Sequence, residues 1–252
     1  ALAANTTGTS NTAVGQQALT ANTTGGNNVS IGISSMATNT TASNNVAVGK
    51  NALTANTTGA SIVAVGAGVM SSNTTGGNNI AIGQNALAAN TTNTTNIAIG
   101  SSALAANNAA GDNMAIGQQA GTTNTSGFHL TAIGHYSLFA NTTAQGNTAV
   151  GHSAMKVTTT GATNTAVGKE TLRFNTTGAS NTAIGYNALC KNTTASDNVA
   201  VGRNAMLGNT TGASNLAAGT SAMQCNTTGA NNTALGGNST MFNNTTGSSN
   251  TA

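Results

Sequence analysis

The chain has 252 residues, of which 4% are charged and 2% are aromatic, and its formal net charge is +3. So small a net charge argues against an extended nucleic-acid-binding surface, which needs clustered Lys and Arg. The only acidic residues are Asp112, Glu170 and Asp197. They leave almost no material for carboxylate-pair or Ser-His-Asp catalysis, so we expect no enzyme activity and no cofactor. The sequence also has no apolar run long enough to span a membrane.

The segment from Asn11 to Asn27 recurs along the whole chain with a period of 17 residues. We number its positions 1 to 17, so that Asn11 is position 1 and Gly15 is position 5. A fixed period in this range predicts a solenoid, in which each repeat forms one coil stacked on the next. We therefore predict an all-β parallel β-solenoid with residues 1–252 as a single continuous array of about 14–15 coils. Neither end looks like a cap, so we interpret the array as an interior window of a longer fibre.

A glycine at position 5 marks each repeat and is predicted to be a turn residue, because glycine alone adopts positive φ without strain. Fourteen glycines keep this register: Gly15, Gly32, Gly49, Gly66, Gly83, Gly100, Gly117, Gly134, Gly151, Gly168, Gly185, Gly202, Gly219 and Gly236.

The three residues before this glycine are predicted to form a short strand. Position 4 is apolar in every repeat and mostly Val or Ile, whereas position 3 is Ala in every repeat except for Ser30. Neighbours on a strand face opposite sides. We expect position 4 to face the core, against the Leu or Met of position 9 on a second strand over positions 7–10. The small position 3 would then face outward, where another chain can approach closely.

Asparagine recurs at two places in the repeat. Position 1 is Asn in twelve of fourteen repeats, with Ile62 and Leu130 as the exceptions, and stacked coils would align these amides in ladders. The Asn-Thr-Thr at positions 12–14 has the composition of a turn and also forms a glycosylation acceptor motif. Its asparagines are either structural or carry sugars on one edge of the fibre. The acceptor motifs begin at Asn5, Asn22, Asn39, Asn56, Asn73, Asn90, Asn124, Asn141, Asn175, Asn192, Asn209, Asn226 and Asn244.

An aromatic and histidine cluster interrupts the pattern in the middle of the chain, where Gly121 replaces the usual Leu. We interpret it either as local repacking of the core or as an interaction patch. The cluster comprises Phe128, His129, His135, Tyr136 and Phe139. His135 and His152 both occupy position 6, but no carboxylate joins them, so we expect no metal site. Cys190 and Cys225 lie two coils apart, too far for an intrachain disulfide.

The pattern Asn-Thr-Ala-Val-Gly-x-x-Ala-Leu resembles the head repeat of the trimeric autotransporter adhesins of the YadA type. The segments 79–86 and 96–103 carry the resemblance most clearly. Similar repeats occur in phage tail-fibre-like and other bacterial surface proteins. The resemblance covers positions 1–8, about half of each coil, and implies a left-handed parallel β-roll, three chains around one axis, and an adhesive or fibrous role. This chain departs from the family in its longer period, and the extra residues fall in the Asn-Thr-Thr-Gly loop.

Two functions remain open from the sequence. The first is a structural fibre or adhesin stalk or head, extracellular, at the cell surface or on a virion, that self-associates as a parallel homotrimer or filament and attaches to host or environmental surface glycans. Self-association is favoured because one coil has too little apolar material to offset its ordering entropy. The alternative is an ice-binding β-solenoid, in which threonine pairs such as Thr23-Thr24 line a regular face. Only one threonine of each pair can do so, because neighbours on a strand face opposite sides.

Overall fold

The structure is a computed structural model that describes all of residues 1–252. It is all-β, with fourteen strands of three residues each and no helix. The strands occupy positions 2–4 of successive repeats: β1 Thr12–Val14, β2 Val29–Ile31, β3 Val46–Val48, β4 Val63–Val65, β5 Ile80–Ile82, β6 Ile97–Ile99, β7 Met114–Ile116, β8 Thr131–Ile133, β9 Thr148–Val150, β10 Thr165–Val167, β11 Thr182–Ile184, β12 Val199–Val201, β13 Leu216–Ala218 and β14 Thr233–Leu235. These findings confirm the predicted β-solenoid with about 17 residues per coil.

The chain divides into two compact units, Ala1–Phe128 and His129–Ala252. In the first unit, β1 to β7 pair in sequence order as parallel neighbours, and each residue lies beside the one 17 positions later, as Ala47 lies beside Ala64. In the second unit, β8 to β14 pair in the same way. The sequence period is therefore the strand register within each unit.

Hydrogen bonds join neighbouring coils around the whole coil and not only along the strands. The amide of Leu19 at position 9 donates to the carbonyl of Ser35 in the next coil at 3.0 Å. The amide of Thr23 at position 13 donates to the carbonyl of Thr40 at 2.8 Å. Stacking therefore satisfies backbone groups that a single coil would leave exposed, which is why the coils need neighbours.

The predicted second strand at positions 7–10 is wrong, because this segment forms turns. Residues at positions 7 and 9 have left-handed backbone conformations, as at Gln17 with φ 57° and Leu19 with φ 52°. Alternate left-handed residues curl the chain back over the strand instead of extending it. The coil therefore has one strand, one curled segment and one polar loop.

The predicted orientation of the strand is also wrong: position 3 faces the interior and positions 2 and 4 face outward. Ala47, Ala64 and Ala81 are fully buried, whereas Ile82 at position 4 is 38% exposed. The interior is narrow, since the hydroxyl of Ser30 at position 3 donates to the carbonyl of Ser35 at position 8 across 2.9 Å. Position 3 is always Ala or Ser, position 8 is mostly Ala or Ser although it also accommodates Val69 and Thr171, and the Leu or Met of position 9 fills most of the remaining space.

Candidate functional site

The glycines of position 5 form a column of close backbone approaches at the end of each strand. Thirteen of the fourteen have φ between 126° and 141°, which confirms the predicted corner; Gly236, beside the irregular segment near the end of the chain, is the exception. A Cβ on Gly185 would lie 2.6 Å from the carbonyl oxygen of Gly202 in the next coil. Glycine is therefore required both by backbone conformation and by stacking.

Two columns of asparagine side chains form a polar spine inside each unit. At position 12, Asn39 Nδ2 donates to Asn22 Oδ1 of the coil before at 3.0 Å. At position 1, Asn28 Oδ1 accepts from the backbone amide of Asn45 in the next coil at 3.0 Å. Both columns also donate to the carbonyl of position 15, as Asn28 and Asn39 do to Ala42. The ladders predicted for position 1 are thus present, and position 12 adds a second.

The burial of position 12 favours the structural alternative for the Asn-Thr-Thr motifs over their use as glycosylation sites. Eleven of the thirteen motif asparagines are fully buried: Asn22, Asn39, Asn56, Asn73, Asn90, Asn124, Asn141, Asn175, Asn192, Asn209 and Asn226. Asn5 is exposed and Asn244 is half-buried. The amide nitrogen that would carry a sugar instead donates inside the coil, as Asn73 Nδ2 does to Asn56 and to Gly76. The folded coil therefore uses these motifs as structural ladders.

The outer face of the strands, formed by the side chains of positions 2 and 4, is an uncharged surface in each unit, apolar at position 4 and mostly Thr at position 2 in the second unit. Ile80 and Ile82 are both 38% exposed, and Ile184 in the second unit is 41% exposed. The residues of this outer strand face are Val, Ile, Leu, Met, Ala or Thr, without a charged side chain. This surface was not expected from the sequence, because the apolar side chains of positions 2 and 4 were predicted to lie in the core.

Part of the predicted aromatic patch is brought together in the second unit. The rings of His135 and Tyr136 lie 3.9 Å apart between centroids, and Tyr136 meets Phe139 edge-on at 5.4 Å. His135 also lies 5.4 Å from His152 in the next coil. Lys156, which was not predicted to belong to the patch, joins it, because its Nζ lies 4.6 Å from the centre of the Tyr136 ring.

The remaining members of that predicted patch are Phe128 and His129. Phe128 is the last residue of the first unit and is 41% exposed, so its ring does not fill a core gap. His129 begins the second unit and has a left-handed backbone with φ 55°. At position 9 of the same repeat, Gly121 has φ 58°, the conformation that Leu and Met adopt elsewhere at this position.

The histidines and cysteines do not form a metal centre or a disulfide. No group of three or more His, Cys, Asp or Glu side chains is placed to hold a metal ion. Both cysteines are free: Cys190 is buried and Cys225 is partly exposed. Burial raises the pKa of the Cys190 thiol, with a smaller contribution from Glu170, so this thiol is a weak nucleophile. The structure also has no helix with the length and apolarity needed to cross a membrane.

The chain matches no protein-family model, and it matches no curated protein. The class of protein to which the chain belongs is therefore described from its fold and its surfaces. It is a β-solenoid repeat protein whose distinctive surfaces are an apolar strand face in each unit and a group of aromatic and basic side chains in the second unit.

Proposed function

We propose that this chain is a structural segment of an extracellular fibre or adhesin, built from parallel copies that associate through the outer strand face. The observation that carries the proposal is the partial exposure of a column of apolar side chains at position 4 along β1–β7 and again along β8–β14, beside a position 2 column that is mostly apolar in the first unit and mostly Thr in the second. Contiguous apolar surface of this kind is rare on monomers and marks interaction sites. The role we propose is structural and not catalytic.

A second copy of the same chain is the occupant that suits this face best. The face has no charge and repeats at the coil spacing of about 4.8 Å, so identical parallel copies keep the same register along their length. Closed cyclic symmetry is the usual way to bury a repeated apolar face. The YadA-type resemblance favours three chains, a left-handed coil and a location at the cell or virion surface.

Sedimentation analysis of the full chain tests this proposal directly. We expect a particle with three times the mass of the 24.3 kDa chain, with chemical cross-linking giving bands up to the trimer. A folded species that stays monomeric at every concentration would contradict the proposal. A filament would retain self-association but replace the closed trimer with open assembly.

Ice binding is the second candidate, because the structure exposes one threonine column. Thr24, Thr41 and Thr58 at position 14 are exposed, whereas the hydroxyl of Thr57 at position 13 donates to the carbonyl of Thr74 at 3.0 Å. Position 14 is therefore the more exposed of the two threonine columns, while position 13 uses its hydroxyls to join coils. A thermal hysteresis assay tests this candidate, with Thr41→Lys and Thr58→Lys together as the interrupting variant. Hysteresis that the variant abolishes would favour ice binding, and an absence of hysteresis in the parent chain would exclude it.

A further inference from the structure

Basic residues are concentrated on a short part of the second unit, although the chain as a whole is nearly uncharged. Five of its six Lys and Arg residues lie between Lys156 and Arg203, against two acidic residues, Glu170 and Asp197. Five positive and two negative charges give this stretch a formal charge of +3, which equals that of the whole chain. The positive charge is therefore concentrated in this stretch, and the composition of the whole chain does not reveal it.

The fold arranges part of this charge in one column. Position 6 of five successive coils holds His135, His152, Lys169, Tyr186 and Arg203. Backbone hydrogen bonds between these coils hold the column together, since each position 7 amide donates to the position 6 carbonyl of the coil before at distances of 2.9–3.1 Å. Four coil rises of about 4.8 Å give the column a length of roughly 19 Å.

A second column lies at positions 10 and 11 of the same coils and holds Lys156, Arg173, Phe174 and Lys191. The amide of Phe174 donates to the carbonyl of Cys190 in the next coil at 3.0 Å, and that of Lys191 donates to Leu207 at 3.2 Å. We call the two columns together the basic–aromatic strip.

Cations of the strip lie over its aromatic rings. Lys169 Nζ is 5.8 Å from the Tyr186 ring centre, and Arg173 Cζ is 5.0 Å from that of Phe174. Such cation–π contacts hold flexible basic side chains near a defined position. Tyr186 and Phe174 remain 46% and 45% exposed, so solvent and ligands still reach them.

Most of the positive charge in the strip is not neutralised by the protein. Glu170 lies 3.2 Å from Arg173 and pairs with it. Lys169, Lys191 and Arg203 are exposed, and no carboxylate lies within ion-pair distance of them. The strip therefore offers several cations, spaced along the stacking direction, to an external anion.

We infer that the basic–aromatic strip binds an acidic polysaccharide that lies along the stacking direction of the coils. Cations in register with the coils suit a linear polyanion, and the exposed rings suit the apolar C–H faces of sugars. Single-stranded nucleic acid fits less well, because it needs successive open ring faces for base stacking, and here a cation covers one face of each ring. This inference rests on the proposed adhesin role, and its class of partner is the surface glycans expected from the sequence.

Binding of defined polymers to the full chain tests the inference. The probes are fluorescently labelled dextran sulfate, polygalacturonate, neutral dextran and oligo(dT) of similar length. We expect binding to one or both acidic polysaccharides, weakening as salt is added, and none to neutral dextran. The sulfated and the carboxylated polymer distinguish the anionic group that is preferred.

Substitutions on the strip give the matched comparison. The triple variant Lys169→Gln, Lys191→Gln and Arg203→Gln should lower affinity for the acidic polysaccharide by at least about tenfold and flatten its salt dependence. The control, Lys50→Gln in the first unit, should bind as the parent chain does. Circular dichroism and sedimentation of each variant show whether fold and assembly are retained.

Three results would overturn the inference: equal binding of neutral dextran, unchanged affinity in the triple variant, or tighter binding of oligo(dT) than of either polysaccharide. Because binding and sedimentation are measured separately, a trimer that binds no polysaccharide would reject the strip as a glycan site while supporting the fibre. A monomer that binds the acidic polysaccharide would support the strip as a glycan site while rejecting the fibre.

Discussion

Asn56 Nδ2 donates a 3.0 Å hydrogen bond to Asn39 Oδ1 in the preceding coil, and both side chains are fully buried. The second amide hydrogen of Asn56 bonds to the carbonyl of Gly59, which also accepts from Asn45. Buried side-chain hydrogen bonds of this column therefore join neighbouring coils. A buried amide is costly when unpaired, so this column selects the stacking register in which every amide has partners.

Replacing one amide in this column should destabilise the unit strongly. Asn56→Ala removes the donor to Asn39 and the acceptor of Asn73 Nδ2, leaving two buried polar groups without these partners. At about 1–3 kcal/mol for each group, we expect a loss of about 2–6 kcal/mol, measured by denaturant unfolding. The matched control is Asn108→Ala, which changes an exposed asparagine of the same unit that lies outside the column. A loss below about 1 kcal/mol at Asn56 would mean that the column does not stabilise the fold.

Thr158 interrupts the asparagine column, and restoring an asparagine at this position should stabilise the unit. Thr158 occupies position 12 between Asn141 and Asn175, is fully buried, and its hydroxyl has no hydrogen-bond partner. Thr158→Asn would let the side chain accept from Asn175 and donate to the carbonyl of Gly161, as asparagines do elsewhere in this column. We expect an increase of about 1 kcal/mol in the free energy of unfolding.

A threonine on the surface provides the comparison for that gain. Thr177→Asn changes an exposed residue that lies outside the spine, so it should alter stability by less than about 0.5 kcal/mol. If both variants behave alike, the gain at Thr158 does not come from completing the column.

The glycine corners should tolerate no side chain. In Gly185→Ala the backbone has φ 126°, and the new Cβ would meet the Gly202 carbonyl at 2.6 Å. We expect a loss of at least about 2 kcal/mol and new protease cleavage near this coil. The control is Gly237→Ala, where a Cβ meets nothing within 4 Å. Equal protease resistance of the two variants would contradict the role of the corner.

Assembly should depend on the outward strand residues and folding on the inward ones. Ile80→Lys with Ile82→Lys places charges on the outer strand face, where both native side chains are 38% exposed, so we expect a folded monomer. Ala81→Glu between them buries a charge in the narrow interior and should unfold the coils around it. Sedimentation and circular dichroism together separate the two outcomes. Retention of the oligomer by the lysine variant would show that association uses another surface.

The sequence by itself determined the repeat, the register and the corner. A 17-residue period indicates that residues 17 positions apart occupy equivalent sites in stacked coils. A glycine in each period indicates a backbone conformation that other residues avoid. The recurring Asn of position 1 similarly predicted ladders, because identical amides one coil apart can serve each other as donor and acceptor. These features depend on local chemistry and on translation along the stack, which a single sequence displays.

Only the tertiary structure decided which face of the strand is inside. Alternation shows that positions 3 and 4 point in opposite directions but does not say which points inward. The usual rule, with the larger apolar residue buried, placed Val and Ile in the core. In the coil, left-handed residues such as Gln17 and Leu19 fold the chain back so closely that position 3 holds only Ala or, at Ser30, Ser. That narrowness arises from packing between residues distant in the repeat, and it places Val and Ile at the surface.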